Sequence, residues 1–239
     1  MKRYLGVISG VILAIFAFVA IILIAQNHNN VAVFDYQKTV EASERIDFTN
    51  YDPDTIIDAD NTSGNISEKI EGSEKAPIII YEYADYACSH CAEANIVINK
   101  LIKDYDGKVA VVFRGYLINY FRNNVIAASA ATAAQLQGYW NEYKNLLFEN
   151  QATWYYQSGS KLRDYLGELF TEASDGNGDL AKFYEDLDSK EVAKRVAFEY
   201  GLGAKVDIAG TPTFRINGEP VAVSSIRETV EDLVKKLNN

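Results

Sequence analysis

The chain holds two cysteines, three positions apart, in Cys88-Ser89-His90-Cys91. Just upstream runs Ile78-Ile79-Ile80-Tyr81-Glu82-Tyr83-Ala84, a stretch of strand character. Just downstream, Cys91, Ala94, Ile98, Leu101, Ile102 and Tyr105 recur at helical spacing. The pair therefore falls where a strand hands over to a helix, with Cys88 at or just before the first helical turn. Unpaired backbone N–H groups and the positive end of the helix dipole face that position. Both favour a thiolate, and such surroundings lower a cysteine from about 8.5 to roughly 3.5–7.5. The pattern is that of a redox-active dithiol, with Cys88 as the attacking sulfur and Cys91 as the resolving one.

Other chemistries fit these four residues less well. A structural zinc site needs four ligands, and the chain offers two cysteines and two histidines, with His28 far away in a polar stretch. Haem attachment needs histidine directly after the second cysteine; here Ala92 follows. A purely structural disulfide would close a very short loop and restrict the unfolded chain little.

At 239 residues and 48% hydrophobic, the chain has material for one sizeable core plus appendages. Its net charge of −10 argues against nucleic-acid binding, which favours a basic stripe. Leu5 to Ala25 is a run of 21 uncharged, mostly apolar residues preceded by Lys2 and Arg3. A helix of that length spans a hydrocarbon layer of about 30 Å. The basic flank sets the N-terminus in the cytoplasm and the rest outside. The length of the run and the weak Ile24-Ala25-Gln26-Asn27 exit favour an uncleaved anchor over a signal peptide. The expectation is a single-pass protein of the cell membrane: an anchor over residues 1–26, a polar tether over 27–65, and a folded domain over 66–239. Within the tether, a short helix around Tyr36–Arg45 is only weakly signalled.

Inside the domain, Asp106-Gly107 marks a turn, and Val109 to Phe113 reads as a buried strand. Strand, helix and strand then form a parallel, right-handed unit. A helical block follows, over about 117–200, with helices at Val125–Gln137, Tyr139–Asn150, Leu162–Phe170, Leu180–Leu187 and Val192–Tyr200. Asp175-Gly176-Asn177-Gly178-Asp179 begins like a calcium loop but has Leu180 and Asp186 where glycine and glutamate are needed, so it reads as a turn with Asp179 capping the next helix. Trp154-Tyr155-Tyr156 lies in a connection, either capping the helical core or docking a partner. The chain then returns to strands. Gly210-Thr211-Pro212-Thr213-Phe214-Arg215-Ile216 precedes Asn217-Gly218, a hairpin signal, with Pro220 to Val223 as partner strand. Ser224 or Ser225 is placed to cap a final helix over Ile226–Leu237. Residue physics leaves Pro212 as either an edge device or a cis-proline turn.

A Cys-x-x-Cys at a helix start, a helical block, and Gly-Thr-Pro-Thr-Phe about 120 residues later before an Asn-Gly hairpin resemble the DsbA family of thioredoxin-fold oxidoreductases. The similarity is greatest to the membrane-tethered versions of Gram-positive-type bacteria, and runs from about Ile66 to Leu237. The resemblance implies an α/β thioredoxin fold with a helical insertion. It implies that Cys88 is the exposed nucleophile, Cys91 its buried partner, and His90 a thiolate stabiliser. Pro212 becomes the cis-proline facing the disulfide, and Thr211 the residue whose backbone pairs with an extended substrate. Glu82, six residues before Cys88, becomes a buried acid that moves the Cys91 proton. Ser89 departs from the proline common in strong oxidants of the family, which puts the direction of electron flow in question. The implied activity is donation of the Cys88–Cys91 disulfide to reduced, unfolded secreted proteins. Reoxidation falls to a membrane quinone reductase of the DsbB or VKOR type. No cofactor, metal or nucleic acid enters, and a monomer is expected. The rival readings are a reductase or isomerase of the same fold, and a tethered peptide-binding or chaperone domain.

Overall fold

The computed structural model describes residues 36–238, so the apolar run Leu5–Ala25 and the start of the expected tether lie outside the described residues. Among the described residues no helix is long and apolar enough to cross a membrane.

The frame is the predicted strand–helix–strand unit. The apolar run 78–84 forms β2 (Ile78–Ala84), which pairs in parallel with β3 (Val109–Gly115), from Ile78 opposite Val109 to Ala84 opposite Gly115. The crossover is α2 (Ser89–Asp104), which buries Cys91, Ala94, Asn95, Ile98 and Leu101 along one face. It stops at Tyr105, ahead of a turn in which Gly107 takes a positive φ of 71°. β4 (Thr213–Ile216) lies antiparallel on the free edge of β2, and β5 (Glu219–Val221) closes the hairpin. Asn217 and Gly218 both hold positive φ, as a type I′ turn requires.

A fifth strand, β1 (Lys69–Glu71), completes the order β1-β3-β2-β4-β5. It was not foreseen, because it is three residues long and two of them are charged. What holds it is ion pairing. Lys69 pairs with Glu199, Arg195 with Glu199 and Glu68, and Arg114 with Glu68, all buried. Charges rarely enter a core unless paired in this way.

The alternation of β2 sends Ile78 and Ile80 to one sheet face and Tyr81 and Tyr83 to the other. The first face packs against α2 and the last helix, α9 (Ile226–Leu237), through Ala94, Ile98, Leu101, Ile226, Val230 and Val234. A short 3₁₀ turn, Val223–Ser225, leads into α9, and Ser225 makes no side-chain capping bond. The second face is covered by α8 (Lys190–Lys205), with Phe198 and Leu202 on Tyr81, Tyr83 and Val112.

Between β3 and β4 lie α3 (Asn124–Leu136), α4 (Trp140–Glu149), α5 (Gln151–Trp154), α6 (Gly159–Ala173), α7 (Leu180–Leu187) and α8. α3 buries every residue from Asn124 to Ala134, its alanines letting neighbouring helices come close on all sides. Asp179 caps α7 as foreseen, its Oδ1 accepting from Lys182 N at 2.9 Å. Trp154 is fully buried, its indole donating to Leu147 O at 2.8 Å, whereas Tyr156 is exposed. The result is a thioredoxin fold with a helical insertion.

The expected tether is corrected from residue 36 onward. α1 (Tyr36–Ser43) packs on α8, with the Tyr36 and Tyr200 hydroxyls 2.9 Å apart. Phe48, Tyr51 and Ile57 extend the Phe198 cluster. Arg114 Nη2 donates to Thr55 O at 2.8 Å, and Arg215 forms a two-pronged pair with Asp54. This part of the expected polar tether is therefore anchored by basic residues far away in sequence. Gly201 of α8 makes the room: a Cβ there would run into the Phe48 ring.

Candidate active site

Cys88 occupies the N-cap of α2 with extended backbone (φ −87°, ψ 121°), so the helix starts where the sequence placed it. The Cys88 carbonyl accepts from Cys91 N at 3.1 Å and Ala92 N at 3.2 Å, closing the first turn. One turn of helix brings the two sulfurs together. Cys91 is fully buried. Cys88, expected as the exposed sulfur, is itself only 4% exposed, just beneath the surface.

What covers it arrives from the other end of the domain. Thr211 and Pro212, joined by a cis peptide bond, sit on the turn leading into β4. The Cys88 thiol donates to Thr211 O at 3.4 Å. The Thr211 hydroxyl is buried without an oxygen or nitrogen partner, and the Thr211 side chain bears on both sulfurs.

These surroundings divide the two thiols. The Cys91 S–H, then the Thr211 side chain and the backbone N–H groups of Cys91 and His90, draw the Cys88 thiol from 9.0 down to about 5, against the opposing effect of burial. Cys91 moves the other way: burial and its neighbour's sulfur push it well above the ordinary range. The arrangement keeps one sulfur as a thiolate at neutral pH and the other protonated.

The remaining foreseen residues are placed differently from one another. Ser89 and His90 are exposed at the start of α2. The His90 ring faces Glu93, with Nδ1 3.3 Å from Oε2, and it is the His90 backbone N–H that supports the Cys88 sulfur. Glu82 is buried on the sheet face beneath α2, one carboxylate oxygen lacking a hydrogen-bond partner. Burial pushes its pKa up to about 7, with Lys144 opposing and Glu71 adding to the shift. Lys144 comes from α4, paired with Glu71 and 3.3 Å from Asn99 Oδ1.

Asp85 was not singled out from the sequence. It follows β2, is fully buried, and accepts from Ala87 N at 2.9 Å, Ile118 N at 2.8 Å and Asn124 Nδ2 at 3.0 Å. Its only sequence signal is a short polar residue in the strand-to-helix turn. Beside the dithiol, Ala87, Ser89, Phe121, Gln151, Ala152, Tyr155 and Tyr156 line a cleft open to solvent.

A buried, protonated thiol one turn from a stabilised thiolate, beneath the Thr211–Pro212 turn on a thioredoxin fold, is an arrangement that can carry out thiol–disulfide exchange. Comparison with known proteins agrees. The model of the family described as Thioredoxin matches residues 65–236, and the chain belongs to that family. Disulfide bond formation protein D of Bacillus subtilis is 26% identical over 188 residues, covering 74% of this chain and 82% of that one. The crystal structure of oxidised BdbD from Bacillus subtilis aligns with a TM-score of 0.61 at 23% identity, over 76% of this chain and 98% of that one. The Na(+)/H(+) antiporter NhaA 3 of Salinispora tropica is 32% identical over 152 residues, 63% of this chain. The chain spans only about a fifth of that antiporter's length, 22%.

Proposed function

We propose that the chain is an extracytoplasmic thiol oxidase, held at the cell membrane by Leu5–Ala25, that donates the Cys88–Cys91 disulfide to reduced secreted or surface proteins. The observation that carries this is the placement of Cys88 at the N-cap of α2, against Thr211 O and one turn from the fully buried Cys91, surroundings that draw the Cys88 thiol down to about 5. A dithiol whose reduced form is stabilised is a stronger oxidant as a disulfide, and a low-pKa sulfur is the better leaving group.

A substrate thiolate attacks Cys88 Sγ. The Cys88–Cys91 bond breaks, and its electron pair leaves on Cys91, which takes up a proton. A second substrate thiolate then attacks the substrate sulfur of the mixed disulfide and expels Cys88 as thiolate. The substrate loses two electrons and the Cys88–Cys91 pair gains them. Glu82, buried beneath α2 with its carboxyl raised by burial to about 7, is the proton source in this reading. Thr211 O offers an edge for an extended substrate backbone, with Pro212 holding that turn over the sulfurs. The Phe121, Tyr155 and Tyr156 cleft receives apolar side chains beside the substrate cysteine. Reoxidation falls to a membrane quinone reductase of the DsbB or VKOR type.

The test is the reduction potential of the pair, by equilibration with glutathione. A value near about −120 mV fits a strong oxidant, whereas one near about −270 mV belongs with reductants and would reverse the electron flow.

A further inference from the structure

The Cys88 turn is tied to the helical insertion through one carboxylate. Asp85 Oδ1 accepts from Ala87 N at 2.9 Å, and Asp85 O accepts from Cys88 N at 3.0 Å. Together these fold the chain between β2 and the reactive sulfur. Oδ2 reaches the other way, to Ile118 N at 2.8 Å and to Asn124 Nδ2 at 3.0 Å, and the same Asn124 amide also donates to Ile118 O at 2.9 Å. Asn124 is the first residue of α3 and is buried, as is Asp85. Three N–H donors converge on a carboxylate sealed from water, three residues before Cys88. A buried carboxylate met by donors of this number is held in one orientation.

We propose that Asp85 is a positioning residue for Cys88, which fixes the reactive sulfur's turn against the start of α3 and sets a negative charge against the thiolate. This rests on Cys88 being the reactive sulfur, but not on the direction of electron flow. Two negative charges in a desolvated site oppose each other. Burial pushes the Asp85 carboxyl up to about 6 against the pull of its three donors, and the Cys88 charge adds to the rise. Through Cys88, Asp85 therefore restrains the thiolate that Cys91, Thr211 and the helix start favour. Removing its charge should strengthen the oxidant.

The experiment compares Asp85→Asn with the parent in the dithiol form, following Cys88 thiolate absorbance against pH and the glutathione equilibrium of the pair. The expected result is a lower thiolate midpoint and an equilibrium shifted about tenfold toward the dithiol, which for a two-electron couple is about 30 mV. A purely structural role would lower unfolding stability and leave midpoint and potential where they were; that outcome overturns the proposal. Should Asp85→Asn not fold, the parent itself decides: the Asp85 carboxyl is titrated by carbon-13 NMR in the disulfide and dithiol forms. A higher midpoint in the dithiol form supports the coupling, and equal midpoints overturn it. If Cys88 of the parent forms no thiolate at neutral pH, the functional reading fails and takes this proposal with it.

Discussion

The largest cause of the low Cys88 pKa is the Cys91 thiol donating to its sulfur, so Cys91→Ala is the most direct perturbation of the site. A hydrogen bond to a charged group contributes about 1.5–3 kcal/mol. At about 1.36 kcal/mol per pKa unit, its loss raises Cys88 by roughly one to two units. The midpoint should move from about 5 to roughly 6–7, with Thr211 and the two backbone N–H groups supplying what remains. Cys91→Ser, which keeps a donor, should recover most of the shift. The assay is thiolate absorbance against pH, checked by the rate of alkylation of the single remaining sulfur. A midpoint in Cys91→Ala within a few tenths of the parent would refute the reasoning and hand the effect to the helix start alone. The same site has a stability consequence. Cys88 titrates lower in the folded dithiol protein than in the unfolded chain, where its ordinary value is 9.0. Its stabilising contribution is therefore fully present above about pH 9 and lost as pH falls through about 5. The disulfide form lacks it, so denaturant unfolding of the two forms should diverge across that window.

Glu82→Gln should flatten stability against pH: the buried acid holds its proton to about 7 while the unfolded chain releases it near 4.5, so stability present below 4.5 is lost as pH rises through 7. Denaturant unfolding at pH 8 should find the variant more stable than the parent, by up to about 3 kcal/mol. Glu68→Gln takes from buried Arg114 the carboxylate it pairs with and leaves buried Arg195 with Glu199 alone, and urea unfolding should register a loss of about 3–5 kcal/mol. Gly201→Ala should drive the Phe48 ring off α8, seen as faster proteolysis between residues 46 and 60 with the dithiol's thiolate midpoint unchanged.

Much of the frame was legible because its signals are local. A continuous run of β-branched and aromatic residues announces β2, helical spacing announces α2, and two residues tolerant of positive φ announce the β4–β5 hairpin. The helical insertion showed for the same reason, down to the Asp179 cap. The short helix at Tyr36–Ser43 was signalled, though weakly, but β1 and the packing of the segment after residue 36 onto the domain were not legible. Lys69 and Glu68 look like surface residues until Arg114, Arg195 and Glu199 arrive from β3 and α8. Asp54 looks like turn sequence until Arg215 reaches it from β4.

The sequence by itself determined that a dithiol stands at the start of a helix, since that requires only neighbouring residues and the backbone they adopt. Tertiary structure alone decided how the dithiol behaves. Thr211 lies 123 residues from Cys88 and meets it only because β4 pairs with β2. Cys91 and Glu82 hold their protons because other elements close over them and exclude water. His90, two residues from Cys88 in sequence, turns its ring to Glu93. Desolvation and the direction of a side chain depend on everything packed around a site, and no local pattern carries them.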